Sequence, residues 1–429
     1  MLEIIRCDIM VGYKIKSVVA RQVLDSRGNP TVEASIVVGK FTASAIVPSG
    51  ASTGIHEAME LRDNRKPFGG KGVLTAVNNV NKKISSKIVG MTFKNQMEFD
   101  TFLIKLDGTV NKSKLGENAI LACSMAFARV VSLVSDKELY QTIAKDFHNK
   151  DLVLPIPFAN VLNGGVHAGN ALEMQEFMIA PIKAKSFSEA TRIVSETYHE
   201  LKSVLQKKYG KNATNVGDEG GFAPPVKTAD ETLKVLMKAI DNVGYENKLR
   251  IAMDPASSEF YNSSKKTYLT KKWSPQKLAK HYEDLVSRYP IISLEDPFDQ
   301  DDFDAWQSFT SNNKKLQIVG DDLTVTNPAR VQLAIDKNLC NSLLLKINQI
   351  GSITESLASA HLAVRAGWNV MVSHRSGETE DPFIADLTVG LGTGQIKLGA
   401  PARSDRVAKY NRLLRIEEQL GKRAKFAKF

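Results

Sequence analysis

From residue 14 to residue 48 apolar and polar side chains alternate along the chain. Alternation with a period of two predicts strands. The stretch divides into KIKSVVARQVLD (14–25), TVEASIVV (31–38) and FTASAIVP (41–48). Gly39-Lys40, between the last two, has the form of a two-residue hairpin turn with glycine first, so a β-meander is expected. SGASTG (49–54) is too small and polar for anything but a loop. From about residue 75 the period becomes helical, most clearly in GENAILACSMAFARVVSLV (116–134) and KELYQTIAKD (137–146). Strands followed by helices point to a small α+β domain ending near residue 147. KDLVLPIP (150–157), with two prolines, reads as a boundary.

Beyond it, short apolar runs alternate with helical stretches. The runs are EFMIAPI (176–182), LRIAMDP (249–255), PIISLEDP (290–297), LQIVGDD (316–322), SLLLKINQ (342–349), WNVMVSHRS (368–376) and GQIKLGAP (394–401). All but the first carry a polar or charged residue near the end. Five of these, Glu295, Asp321, Lys346, His374 and Lys397, follow one another at 26, 25, 28 and 23 residues. That is the length of one strand, one helix and two short loops. Asp254 precedes Glu295 by 41 residues, and the excess falls in YNSSKKTYLTKKW (261–273), an expected insertion. Repeated βα units build either a doubly wound sheet or a (β/α)8 barrel. GLGTGQ (390–395) is a partial dinucleotide fingerprint that precedes a strand instead of following one, which favours the barrel. In a barrel the strand C-termini converge on one face, where active sites are built.

Composition narrows the class. The chain has 429 residues, 43% hydrophobic and 24% charged, as expected of a globular protein of more than one domain. The most apolar run, AILACSMAFARVVSLV (119–134), carries Arg129 and reads as a buried helix, so no membrane span is expected. MLEIIRCDIM contains Glu3 and lacks a small-residue cleavage pattern, so it does not read as a signal peptide. Cys7, Cys123 and Cys340 fit neither a disulfide framework nor a zinc spacing and suit a reducing compartment. The 57 Lys and Arg against 47 Asp and Glu are scattered, apart from the tail KRAKFAKF. Scattered cations support only non-specific nucleic-acid binding that weakens steeply with salt.

Asp254, Glu295 and Asp321 end three successive runs. Three oxygen ligands from adjacent strands suit a hard cation, Mg2+ above all. The histidines, at 56, 148, 167, 199, 281, 361 and 374, form no zinc motif. Asp296, Asp299, Asp301 and Asp302 read as loop and first-turn acids facing a helix dipole. Lys346, among leucines, is expected to have its pKa lowered by desolvation and by a nearby metal, making it a neutral base; the plain alternative is a snorkelling lysine. Lys397 invites the same two readings. His374, Arg375 and Ser376 together are apt for a phosphate or carboxylate. Glu176 follows Gln175, and Glu219 lies in the irregular loop NVGDEGGFAPP. Acids across a cavity from a lysine give a division of acid and base work.

DSRGNPTVE, PSGASTGIHEAMELRD, LNGGVHAGN, QEFMIAP, NVGDEGGFAPP, SLEDPFDQDDFDAW, GDDLTVTNP, LLLKINQIGS, VSHRSGETED and GQIKLGAPARSDRVAKYNRLLRIEE together resemble the enolase family, from about residue 14 to 420. The resemblance implies an α/β protein: an extension over 1–13, a smaller N-terminal α+β capping domain over 14–147, and a C-terminal (β/α)8-type barrel of ββαα(βα)6 topology over 148–429. It implies the reversible dehydration of 2-phosphoglycerate to phosphoenolpyruvate in glycolysis and gluconeogenesis. It implies two Mg2+ ions per site, the first on Asp254, Glu295 and Asp321, the second substrate-dependent and on Ser52. Lys346 is implied as base and Glu219 as acid, with Glu176 assisting through water and His374 beside them. The implied substrate contacts are His167, Gln175, Glu176, Glu295, Asp321, His374, Arg375, Ser376 and Lys397. A cytoplasmic homodimer is the family expectation, with octamers in some members. Rival readings are another lyase or racemase of the same superfamily, which lacks the phosphate contacts, and a basic-surface binding protein. The pI of about 9.2 departs from a family whose members are often acidic.

Overall fold

The computed structural model describes residues 12–51, 53–165 and 168–429; residues 1–11, Val166 and the expected site residues Ser52 and His167 lie outside them. The alternating N-terminal stretch forms β1 (Tyr13–Leu24), β2 (Pro30–Val38) and β3 (Phe41–Ile46). They pair antiparallel in the order β3-β2-β1, with a short strand at Thr92–Phe93 on the far edge. Val38 faces Phe41 in register, so the turn is Gly39-Lys40 as expected, and Gly39 supplies a φ of +60°. Helices α1 (Gln96–Asp107), α2 (Glu117–Val134) and α3 (Leu139–Asp146) follow. Among the described residues only α2 is long and apolar enough to cross a membrane, and most of it is buried against β2 and β3.

The rest of the chain closes a barrel. Its strands are β4 (Ile156–Asn163), β5 (Glu176–Ala180), β6 (Arg250–Asp254), β7 (Ile291–Glu295), β8 (Gln317–Gly320), β9 (Ser342–Leu345), β10 (Asn369–Ser373) and β11 (Gly394–Lys397). The order around the barrel is β7-β8-β9-β10-β11-β4-β5-β6. β5 runs antiparallel to both neighbours and every other pair is parallel. Two long helices, α4 (Phe187–Tyr209) and α5 (Ala229–Asn242), separate β5 from β6, which gives the expected ββαα(βα)6 topology.

One barrel strand was absent from the runs read in the sequence. The first barrel strand starts inside KDLVLPIP, the stretch read as a boundary. All eight residues of β4 are buried, so no alternation marks it, and two prolines at its start read as a breaker. The inverted β5 and the paired helices break the regular spacing before β6, and the insertion at 261–273 breaks it between β6 and β7, so it holds only from Glu295 on. The expected insertion at 261–273 is there: Tyr261–Asn262 and Thr267–Tyr268 pair as a small hairpin.

The N-terminal sheet and α2 are locked to the barrel mouth by one ion pair. Arg129 on α2 forks onto both oxygens of Asp381, in the segment after β10, and donates to Ser44 O at 2.7 Å. The Ile46 N–H donates to the same carboxylate at 3.0 Å. Burial raises the Asp381 pKa, but Arg129 outweighs it and holds the carboxyl below its usual range. Asp381→Ala strands the guanidinium and should cost about 3 kcal/mol. Chemical denaturation should show the midpoint falling without a change of slope; an unchanged midpoint would contradict this.

Candidate active site

The barrel brings six strand ends to one mouth. Asp254, Glu295 and Lys397 close β6, β7 and β11, while Asp321, Lys346 and His374 each follow the last residue of β8, β9 and β10. Because β5 is inverted, its first residue, Glu176, arrives at the same mouth and sits in register with Asp254. Glu219 comes from the loop between α4 and α5. A Cβ at Gly221 would meet Asn163 Oδ1 at 2.1 Å, so glycine lets this loop lie on β4. Asn160 Nδ2 then donates to Glu219 Oε2 at 2.9 Å.

One cavity is lined by Gln175, Glu176, Glu219 and Asp254 on one side. Lys346, His374, Arg375, Ser376 and Lys397 complete it. A roomier cavity, about 1130 Å³, lies elsewhere, between α1, α3 and the helix over Ile353–Arg365, and Asp146 is its only acid among the described residues. The chemistry therefore belongs to the smaller polar cavity.

Lys397 Nζ stands 2.8 Å from Glu295 Oε1, 2.9 Å from Asp254 Oδ2 and 3.0 Å from Glu176 Oε2. All four side chains are buried. Desolvation works against the ammonium, yet Asp254, Glu176 and Glu295 outweigh it and hold the Lys397 pKa far above its usual value. Desolvation and the nearby acids push Glu176 and Glu295 well above the carboxylate range. Around the barrel, Lys346 pairs with Asp321 Oδ2 while Gln349 Nε2 donates to Asp321 Oδ1 at 2.7 Å. Burial does pull the Lys346 ammonium down, but Asp321 more than compensates, and its pKa is raised. Asp321 is lowered in turn: burial raises it, and Lys346 overrides that.

Asp254, Glu295 and Asp321 offer oxygen donors suited to a hard cation, and Glu295 Oε2 accepts no hydrogen bond among the described residues. A second acidic cluster, Asp296, Asp321 and Asp322, has one oxygen of each within 4.8 Å of the others. Asp296 is committed: its two oxygens accept the N–H groups of Asp321 at 2.9 Å and Asp322 at 2.8 Å. It is thus a buried clamp between β7 and β8, not the solvated first-turn acid expected. Asp302 does precede the helix over Phe303–Asn312, but its carboxylate accepts from the Tyr268 hydroxyl instead of capping.

The segment after β10 is fixed from beneath by Arg406, wholly buried on the helix over Ser404–Leu420. It donates to the carbonyls of Arg375 and of Ser376 (2.6 Å), and to His374 Nδ1. A guanidinium only donates, so Nδ1 is the acceptor and the neutral ring carries its proton on Nε2. Nε2 lies 3.4 Å from Glu219 Oε2, longer than a good hydrogen bond. Ser376 Oγ accepts the Ala51 N–H at 2.6 Å, and Ser49 pairs with Gly377, so the 49–51 loop docks here.

Asn160, Gln349 and Arg406 were not singled out from the sequence. A signal existed for Arg406: Tyr410, Leu413, Ile416 and Leu420 mark the buried stripe of its helix, and Arg406 lies one turn before Tyr410.

Burial, with Arg406 adding to it against Glu219, takes the His374 pKa down to about 3. In the unfolded chain the ring protonates near 6.5. This group's contribution to stability is therefore complete above pH 6.5 and is lost as pH falls from there toward 3, by up to about 1.4 kcal/mol per unit. Nitrogen NMR of labelled His374 should show a neutral, Nε2-protonated ring at pH 5; an imidazolium there would contradict the tautomer assignment.

Two family models cover nearly the whole chain: "Enolase, N-terminal domain" over residues 15–143 and "Enolase, C-terminal TIM barrel domain" over residues 151–428. Enolase 1 of Entamoeba histolytica is 55% identical over 420 residues, covering 95% of this chain and 96% of that protein. Enolase of Methanococcus vannielii is 54% identical over 412 residues, covering 95% and 96%. With a closed barrel whose strand ends gather buried carboxylates around two lysines, the chain belongs to the enolase family of carbon–oxygen lyases.

Proposed function

We propose that this chain catalyses the Mg2+-dependent, reversible dehydration of 2-phosphoglycerate to phosphoenolpyruvate, as a cytoplasmic homodimer serving glycolysis and gluconeogenesis. The observation that carries the reading is the division of the cavity. Lys346 enters from the end of β9, while Glu219 is held by Asn160 on β4, three strands further round, with the Lys397 cluster between them. Elimination needs that separation: one group takes the C2 proton and another delivers a proton to the departing C3 hydroxyl.

Lys346, in its neutral form, takes the C2 proton onto the Nζ lone pair, and the electron pair of the broken C–H bond shifts onto the substrate carboxylate. Lys397, held cationic by three acids, stabilises that charge at short range. Asp254, Glu295 and Asp321 would hold the first Mg2+ and Ser52, outside the described residues, the second; when bound, the ions add Lewis-acid stabilisation of the same carboxylate. Glu219 protonates the hydroxyl, which leaves as water, with Glu176 assisting and neutral His374 orienting the acid. Arg375, Ser376, Gln175 and His167, the last outside the described residues, anchor the phosphate end and the carboxylate. We assign residues 14–147 to the capping domain and 148–429 to the barrel domain on the same reading.

Absorbance of phosphoenolpyruvate tests this directly. Activity on 2-phosphoglycerate should vanish in chelator and return with Mg2+. Asp321→Ala should lower turnover on the order of a hundredfold or more at low Mg2+. Glycerate, without the phosphate, should not react. Full activity in chelator, or turnover of glycerate, would contradict the assignment.

A further inference from the structure

Glu57 lies just beyond the 49–54 loop, on a segment with no role in the chemistry above. Its side chain is 9% exposed, against 3% for Arg375, and the two meet fork to fork. Arg375 Nη1 donates to Glu57 Oε2 and Nη2 to Oε1, each at 3.1 Å. Nη1 also donates to Asn348 Oδ1 at 3.0 Å. Glu57 Oε1 further accepts the Gly54 N–H at 3.1 Å and lies 3.4 Å from Gln349 Nε2, the group that donates to Asp321. Burial works against the Arg375 charge, and Glu57 is the foremost group that restores it.

We propose that Glu57 is a positioning residue that sets the plane of the Arg375 guanidinium for the substrate phosphate. This rests on the reading of Arg375 as a phosphate contact. A bidentate carboxylate fixes a guanidinium in both position and orientation, which a single acceptor does not. With Nη1 and Nη2 each tied to one Glu57 oxygen, the fork cannot rotate about its long axis, and the substrate's phosphate meets donors already aimed. Gln349, which donates to Asp321 at 2.7 Å, also stands 3.4 Å from the same Glu57 carboxylate, a weak contact between the phosphate anchor and the acidic cluster.

Glu57→Gln keeps the size but offers one acceptor and one N–H to a fork that needs two acceptors. The test compares Glu57→Gln, Glu57→Asp and, as a control, Arg375→Gln, reading KM and kcat for 2-phosphoglycerate and the inhibition constant of inorganic phosphate. Glu57→Gln should raise KM and weaken phosphate inhibition by the same factor, about tenfold, with kcat within threefold of the parent. Glu57→Asp, which retains two acceptors, should recover part of the loss. An unchanged or lowered KM in Glu57→Gln, with a raised KM in Arg375→Gln, would overturn the proposal alone. So would a fall in kcat and thermal midpoint with KM unmoved in both Glu57 variants, which marks a purely structural role. An unchanged KM in Arg375→Gln would instead overturn the phosphate-contact reading, and the proposal with it.

Discussion

Four carboxylates, Glu176, Asp254, Glu295 and Asp321, are withdrawn from water at the mouth of one barrel. A buried, unpaired carboxylate costs several kcal/mol, and like charges at close range add to that. Two lysines meet the cost. Lys397 touches three of the acids and Lys346 the fourth. None of these groups is tolerable alone, so the cluster exists only where the barrel assembles it from strands far apart in sequence. That explains the inverted β5: it delivers Glu176 to the face where the other strands end. An excess of acid over base also leaves the mouth receptive to cations, which is the electrical property that the proposed chemistry requires.

The same mouth stores strain. Val325 and Thr326, both β-branched, adopt φ values of +42° and +53°. Such conformations cost on the order of 1–3 kcal/mol each and persist where surrounding contacts enforce them. Here Thr326 Oγ1 accepts the Lys346 N–H at 2.9 Å and donates to Gln349 Oε1 at 3.0 Å. The strained turn thus holds the backbone of the proposed base and the amide that orients Asp321.

Much of the site was legible because strand ends repeat at a regular interval and carry charge. Glu295, Asp321, Lys346, His374 and Lys397 could be placed on one face from spacing alone. Glu176 could not, since an inverted strand breaks the interval; its residue type singled it out as an acid, and the family resemblance gave it a role. β4 was hidden by complete burial, which erases alternation. Asp296 was misread because nothing local distinguishes a clamp on neighbouring backbone N–H groups from a solvated loop acid. The pairing of Lys346 was hidden for a related reason: its partner Asp321 lies 25 residues earlier. Burial is readable from the leucines around a lysine; the charge that faces it is not.

The central claim is that proton removal and hydroxyl loss belong to different residues on different sides of the cavity. Exchange of the substrate's C2 proton with solvent deuterium, measured in Lys346→Ala and Glu219→Gln proteins shown to fold and bind Mg2+, tests it most directly. The account predicts that Lys346→Ala loses both exchange and turnover, while Glu219→Gln loses turnover and keeps measurable exchange. Normal exchange in Lys346→Ala would contradict it and move the base to another strand end.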